Sequence, residues 1–170
     1  MNSNHERINI LLVDDRPENL ISLAAILDSP SYNLVRAESG KEALRELLNQ
    51  DFALILLDVQ MPIMDGFETA ALIKQRGRSK HIPIIFVTAV SVDTTLLFKG
   101  YGAGAVDYIF KPFDPTILRS KVSVFAELYN KNIQLKKQAI LLRGHERLER
   151  EREITQIELE SLKREQTVND

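Results

Sequence analysis

The chain has 170 residues, 22 basic and 24 acidic side chains and a formal net charge of −2, a balance that excludes broad electrostatic attraction to nucleic acid or an anionic membrane. It contains no cysteine, which removes disulfides, thiolate metal sites and thiol nucleophiles. The polar start MNSNHERIN lacks the apolar stretch of a secretory signal, and no uncharged apolar run approaches the roughly 18 residues of a membrane span; the chain reads as cytoplasmic, with residues 1–6 a disordered tail.

Short apolar runs then alternate with amphipathic stretches, the pattern of repeated strand-helix units. INILLV predicts a strand ending at Asp14, and a helix beginning near Pro17 carries Leu20, Leu23, Ala24 and Leu27 on one face. Proline suits a first helical turn, where its missing N–H goes unused. YNLVRA predicts a second strand, followed by Ser39 as N-cap and KEALRELLNQ, with Leu44, Leu47 and Leu48 at helical spacing. FALILLD is too continuously apolar for a half-exposed strand and reads as a central one, with Asp58 at its carboxyl end. MPIMDG is a turn, and FETAALIKQRG a helix ending near Gly77. IPIIFVT predicts a strand ending at Thr88; a helix follows from about Val92 to Lys99, its end marked by the glycines at 100, 102 and 104; VDYIF is a fifth strand ending before Lys111. The fold class is α/β: a doubly wound sheet of five parallel strands, whose ligands bind outside the strands' carboxyl ends.

Asp114 and Pro115 form an N-cap and a first-turn proline, and no strand signal or proline follows. The helix that starts there is expected to run on past the domain. Phe125, Leu128, Asn132, Leu135, Ala139 and Leu142 follow the 3-then-4 spacing of a coiled coil, with Asn132 at the register-setting position. The seam fails at RGHERLEREREI, and Ile154, Ile157, Leu159 and Leu162 resume in a shifted register. The alternative is a solvated single helix that frays. Phe125 and Tyr129 fit the domain core, the seam or both.

The strand ends carry the chemistry. Asp14 and Asp15 follow the first, Asp58 the third, Thr88 the fourth and Lys111 the fifth. Three carboxylates on one rim repel unless they share a proton or a divalent cation, and hard oxygen ligands favour Mg²⁺ over Zn²⁺. Carboxylates, Mg²⁺ and a lysine suit phosphoryl transfer, for which an aspartate is a competent nucleophile. Each element alone is commonplace as a turn or cap; their joint appearance at four strand ends carries the weight.

The segments LLVDD, LLDVQMPIMDGFE, IIFVTA and DYIFKPF resemble those of response-regulator receiver domains of two-component signalling systems. The resemblance covers about residues 7–128 as a flavodoxin-like receiver and leaves 129–170 as a helical coiled-coil linker or extension. It implies that Asp58 is the phosphoacceptor for a sensor histidine kinase or phosphotransfer protein. It further implies that Asp15 ligates Mg²⁺ directly and Asp14 through water or in support, with Asp58 and the Gln60 carbonyl completing the set. Lys111 would pair with phosphoryl oxygens, and Thr88 and Tyr108 would form the switch. Lys111-Pro112 is expected to be cis, and Ala89 leaves room for the phosphoryl group. Gln60 and Val90 would tune dephosphorylation, and Val90, unable to orient the hydrolytic water, implies slow loss of phosphate.

A haloacid-dehalogenase-like phosphatase would want a second Asp two residues after Asp58, where Gln60 stands. A purely structural module would want a missing active-site residue, and none is missing. His5 and His81 read as tail and loop residues, and His145-Glu146 lacks the downstream proline of a kinase phosphoacceptor box. The chain is therefore expected not to turn over external substrates. It relays phosphorylation through the C-terminal helix to an effector beyond residue 170 or to a homodimer partner, without direct contact to nucleic acid or membrane.

Overall fold

A computed structural model describes residues 6–89, 99, 100, 102, 104, 105 and 107–168. His5, Val90, most of the expected tail and nearly all of the helix expected over Val92 to Lys99 lie outside these residues. The chain divides into two compact units, Met1–Glu127 and Leu128–Asp170.

In the first unit β1 (Ile8–Val13), β2 (Tyr32–Ala37), β3 (Leu54–Leu57), β4 (Ile84–Thr88) and β5 (Asp107–Phe110) alternate with α1 (Pro17–Leu27), α2 (Gly40–Asn49) and α3 (Gly66–Gln75), before α4 (Pro115–Val168). The strands form one parallel sheet in the order β2-β1-β3-β4-β5. Because successive strand residues point to opposite faces, each buried strand feeds two cores. Leu11, Val13, Ile55, Leu57 and Phe86 join α2 and α3 on one side; Ile10, Leu12, Leu54, Leu56 and Val87 join α1, Leu118 and Val122 on the other. This explains the unbroken apolar run of β3, all four of whose residues are buried.

The helix starts follow from their caps. Ser39 accepts the Glu42 N–H at 3.0 Å, Asp114 accepts the Thr116 N–H at 2.7 Å, and Pro17 opens α1. Asp65, read from the sequence only as part of a turn, also caps α3 through the Glu68 N–H at 2.8 Å. Two expectations are corrected. Leu44 and Leu47 are buried but Leu48 is 59% exposed, lying beyond the edge of the face that Ala43, Leu44 and Leu47 bury. Gly100 and Gly102 are still helical, past the expected end at Lys99. The terminating residue is Gly104, at φ +96; the Ala105 N–H reaches back to the Gly100 carbonyl at 3.1 Å, the hydrogen bond of a Schellman C-cap.

Within α4, Leu118, Val122 and Ala126 are buried. Phe125 is partly buried against the α1-side core, so it serves the domain. The second unit is helical through Val168, Gly144 included; Tyr129 and Ile133 are half-buried and its other described side chains are exposed. Among the described residues no helix is long and apolar enough to cross a membrane.

Candidate functional site

The strand order reverses between β1 and β3, and a parallel sheet leaves a crevice at the carboxyl ends of the strands flanking such a point. Asp14 and Asp15 leave β1 there, and Asp58 leaves β3. The Asp58 N–H is tied to the Val13 carbonyl at 2.9 Å and the Asp14 N–H to the Ala37 carbonyl at 3.1 Å. One carboxylate oxygen from each of Asp14, Asp15 and Asp58 lies within 4.8 Å of the others. Asp14 and Asp58 are buried, at 1% and 7% exposure.

Lys111 arrives from the end of β5, where its N–H donates to the Thr88 carbonyl at 2.8 Å and the following bond to Pro112 is cis. Its ammonium donates to Asp14 at 2.9 Å and stands 4.0 Å from Asp58. The cation is thus engaged by Asp14 and only near Asp58. Asn19, in the first turn of α1, donates to both Asp14 oxygens at 3.2 and 3.1 Å, and the Arg16 N–H adds a third donor at 2.9 Å. Sequence reading missed Asn19; the only signal was its position in the first turn of the helix that follows the aspartate pair.

Asp58 is the electrostatically unsettled member. Burial pushes its carboxyl up to about 6, with the Asp14 and Asp15 charges acting in the same direction; Lys111 and a hydrogen bond from the Gln60 backbone oppose them. A carboxylate so placed gains from any added positive charge. The donor set, three hard carboxylates in close approach, fits Mg²⁺.

The loop after Asp58 is tightly anchored. The Gly66 N–H donates to the Val59 carbonyl at 2.8 Å, and a Cβ on Gly66 would lie 2.2 Å from the Asp58 carbonyl oxygen. Only glycine lets α3 approach this closely. At the loop's tip the Met64 N–H bonds the Pro62 carbonyl at 2.8 Å, closing a γ-turn that forces Ile63 to φ 70. Gln60 is exposed and Ala89 is exposed beside Thr88. Thr88 is buried at the end of β4, and Tyr108 is buried with its ring 5.3 Å from that of Phe86. Asp14, Asp15, Asp58 and Lys111 are thus brought together, Thr88 ends the strand between those carrying Asp58 and Lys111, and Val90 lies outside the described residues.

The family of response regulator receiver domains matches residues 10–123. A probable cyclic di-GMP phosphodiesterase of Vibrio cholerae is 40% identical over 144 residues, 84% of this chain and 30% of that protein. The transcriptional regulatory protein ZraR of Escherichia coli K12 is 39% identical over 110 residues, 65% of this chain and 24% of that protein. The chain therefore spans less than a third of either relative. Among solved structures, the chemotaxis protein CheY4 of Vibrio cholerae superposes with a TM-score of 0.66 at 28% identity, over 70% of this chain and 98% of that one.

Proposed function

The chain belongs to the response regulator receiver domain family, whose members are phosphorylation-dependent signalling modules, and from that premise we propose that Asp58 accepts a phosphoryl group from the phosphohistidine of a sensor histidine kinase or phosphotransfer protein. A carboxylate oxygen of Asp58 attacks phosphorus, the P–N bond breaks with its electron pair going to the donor imidazole, and an acyl phosphate forms on Asp58. The observation that carries this reading is the approach of three carboxylates within 4.8 Å beside an ammonium 4.0 Å from Asp58. Mg²⁺, held by Asp14, Asp15, Asp58 and the Gln60 carbonyl, would neutralise the charge gathered on the transferring oxygens.

Lys111 exchanges its hold on Asp14 for the incoming phosphoryl oxygens, and Asn19 keeps Asp14 oriented meanwhile. Thr88 donates its hydroxyl to the phosphoryl group and Tyr108 follows it, a two-state switch driven by new local charge. Val90 offers the hydrolytic water no hydrogen bond, so the phosphoryl group is lost slowly. We assign residues 7–128 to the switch and 129–170 to a relay helix, and a second copy joins along a seam of Leu128, Leu135 and Leu142 that crosses this boundary. Their side chains are 50%, 62% and 61% exposed, an apolar surface suited to a coiled-coil seam. A monomeric mass by light scattering, before and after phosphorylation, would remove the dimer. For the output, the match to the Vibrio cholerae relative spans 144 residues and so runs beyond Glu127 into the second unit. That supports a cyclic di-GMP phosphodiesterase as the activity the helix controls.

The phosphoryl chemistry is checked by incubating the chain with acetyl phosphate and Mg²⁺ and weighing it intact. A single phosphoryl adduct that vanishes with chelator is expected; an adduct indifferent to chelator, or none, would contradict the reading.

A further inference from the structure

Gly100 sits in a helical stretch, is buried and has no positive φ; the left-handed turn that calls for glycine is four residues on, at Gly104. A glycine in helical conformation without a backbone reason costs about 1 kcal/mol relative to alanine, so its justification must be space. The occupant of that space is Tyr108. A Cβ on Gly100 would lie 1.7 Å from the Tyr108 hydroxyl oxygen, 2.5 Å from its Cζ and 3.0 Å from Phe86 Cε2. Phe86 cannot yield: it is fully buried in β4 and held edge-on by Phe67 at 5.1 Å. Tyr108 is the ring that would have to leave.

We propose that Gly100 is a positioning residue for the switch: its missing Cβ forms the slot that accepts the Tyr108 ring in its buried position. The inference rests on the receiver reading and adds to it the determinant of the tyrosine's inward position. Filling the slot with a methyl group would expel the ring and weaken the binding of a phosphoryl group, because the outward state would first have to be reversed.

The experiment uses the full chain labelled with 3-fluorotyrosine and, as probe, beryllofluoride with Mg²⁺, a phosphoryl stand-in. Gly100→Ala is expected to move the Tyr108 fluorine resonance toward its solvent-exposed position and to weaken beryllofluoride binding about tenfold. In a Tyr108→Leu background, whose side chain ends short of the slot, the same substitution should leave the affinity unchanged. A Tyr108 resonance that stays buried in Gly100→Ala, or equal weakening in both backgrounds, would overturn the slot. If Gly100→Ala does not fold, rescue by Tyr108→Leu supports the clash and failure of rescue contradicts it. A parent chain that binds no beryllofluoride would defeat the receiver reading instead, while the fluorine signal still decides the slot.

Discussion

Asp58 is held in an environment that disfavours its charge, and this has a measurable consequence in the absence of divalent metal. Its carboxyl is pushed from 3.8 to about 6, chiefly by burial and against the pull of Lys111. A carboxyl raised in the folded state stabilises the fold fully below its unfolded value near 4, and that contribution is lost as pH rises through about 6. Asp58→Asn removes the penalty. Urea unfolding in chelator should find it more stable than the parent by roughly 1–3 kcal/mol at pH 7, with the gain fading by pH 4; an equal gain at both pH values would contradict the electrostatic cause. Ile63 is a second strained residue: β-branched, at φ 70, and with its side chain wholly exposed, it gains no packing for its backbone conformation. Asparagine tolerates a positive φ better. Ile63→Asn should therefore raise stability by about 1 kcal/mol, read as a higher urea midpoint with an unchanged slope; an unchanged or lower midpoint would mean that the turn carries no strain.

At the level of elements, the joint between β3 and α3 is set by a single missing side chain. With a Cβ on Gly66 only 2.2 Å from the Asp58 carbonyl oxygen, Gly66→Ala must push α3 off the strand end. It should cost on the order of 1–3 kcal/mol and slow adduct formation from acetyl phosphate, because the displaced backbone carries Asp58; a variant of parental stability and rate would refute the close approach. The same elements show what the sequence could convey. Ser39 and Asp114 were legible as caps because a short polar side chain stood just before a helical pattern, and the continuous apolar β3 was legible as a central strand. Asp65 hid as a cap inside a turn motif. Leu47 and Leu48 looked alike because composition does not say which of two neighbours faces inward, and three closely spaced glycines did not reveal that Gly104 alone among them takes the positive φ. Phe125 was ambiguous for a deeper reason: helical periodicity identifies an apolar face but not what covers it.

For the whole molecule, five strands bring to one rim groups that lie as far apart in sequence as Asp14 and Lys111, 2.9 Å from each other. The rim was foreseeable from the rule that parallel strands present their carboxyl ends together. The pairings within it were not, since a strand end fixes where a side chain begins and not which neighbour it selects; Lys111 to Asp14 rather than Asp58, and Asn19 to Asp14, emerged only from the folded geometry. The most direct measurement locates the covalent phosphoryl group. After reaction with acetyl phosphate and Mg²⁺, borohydride cleavage of the acyl phosphate should convert one residue to homoserine. Peptide mass spectrometry is expected to find it at Asp58, in the parent chain and not in Asp58→Asn; homoserine at Asp14, Asp15 or any other position, or at none, would contradict Asp58 as the phosphoacceptor.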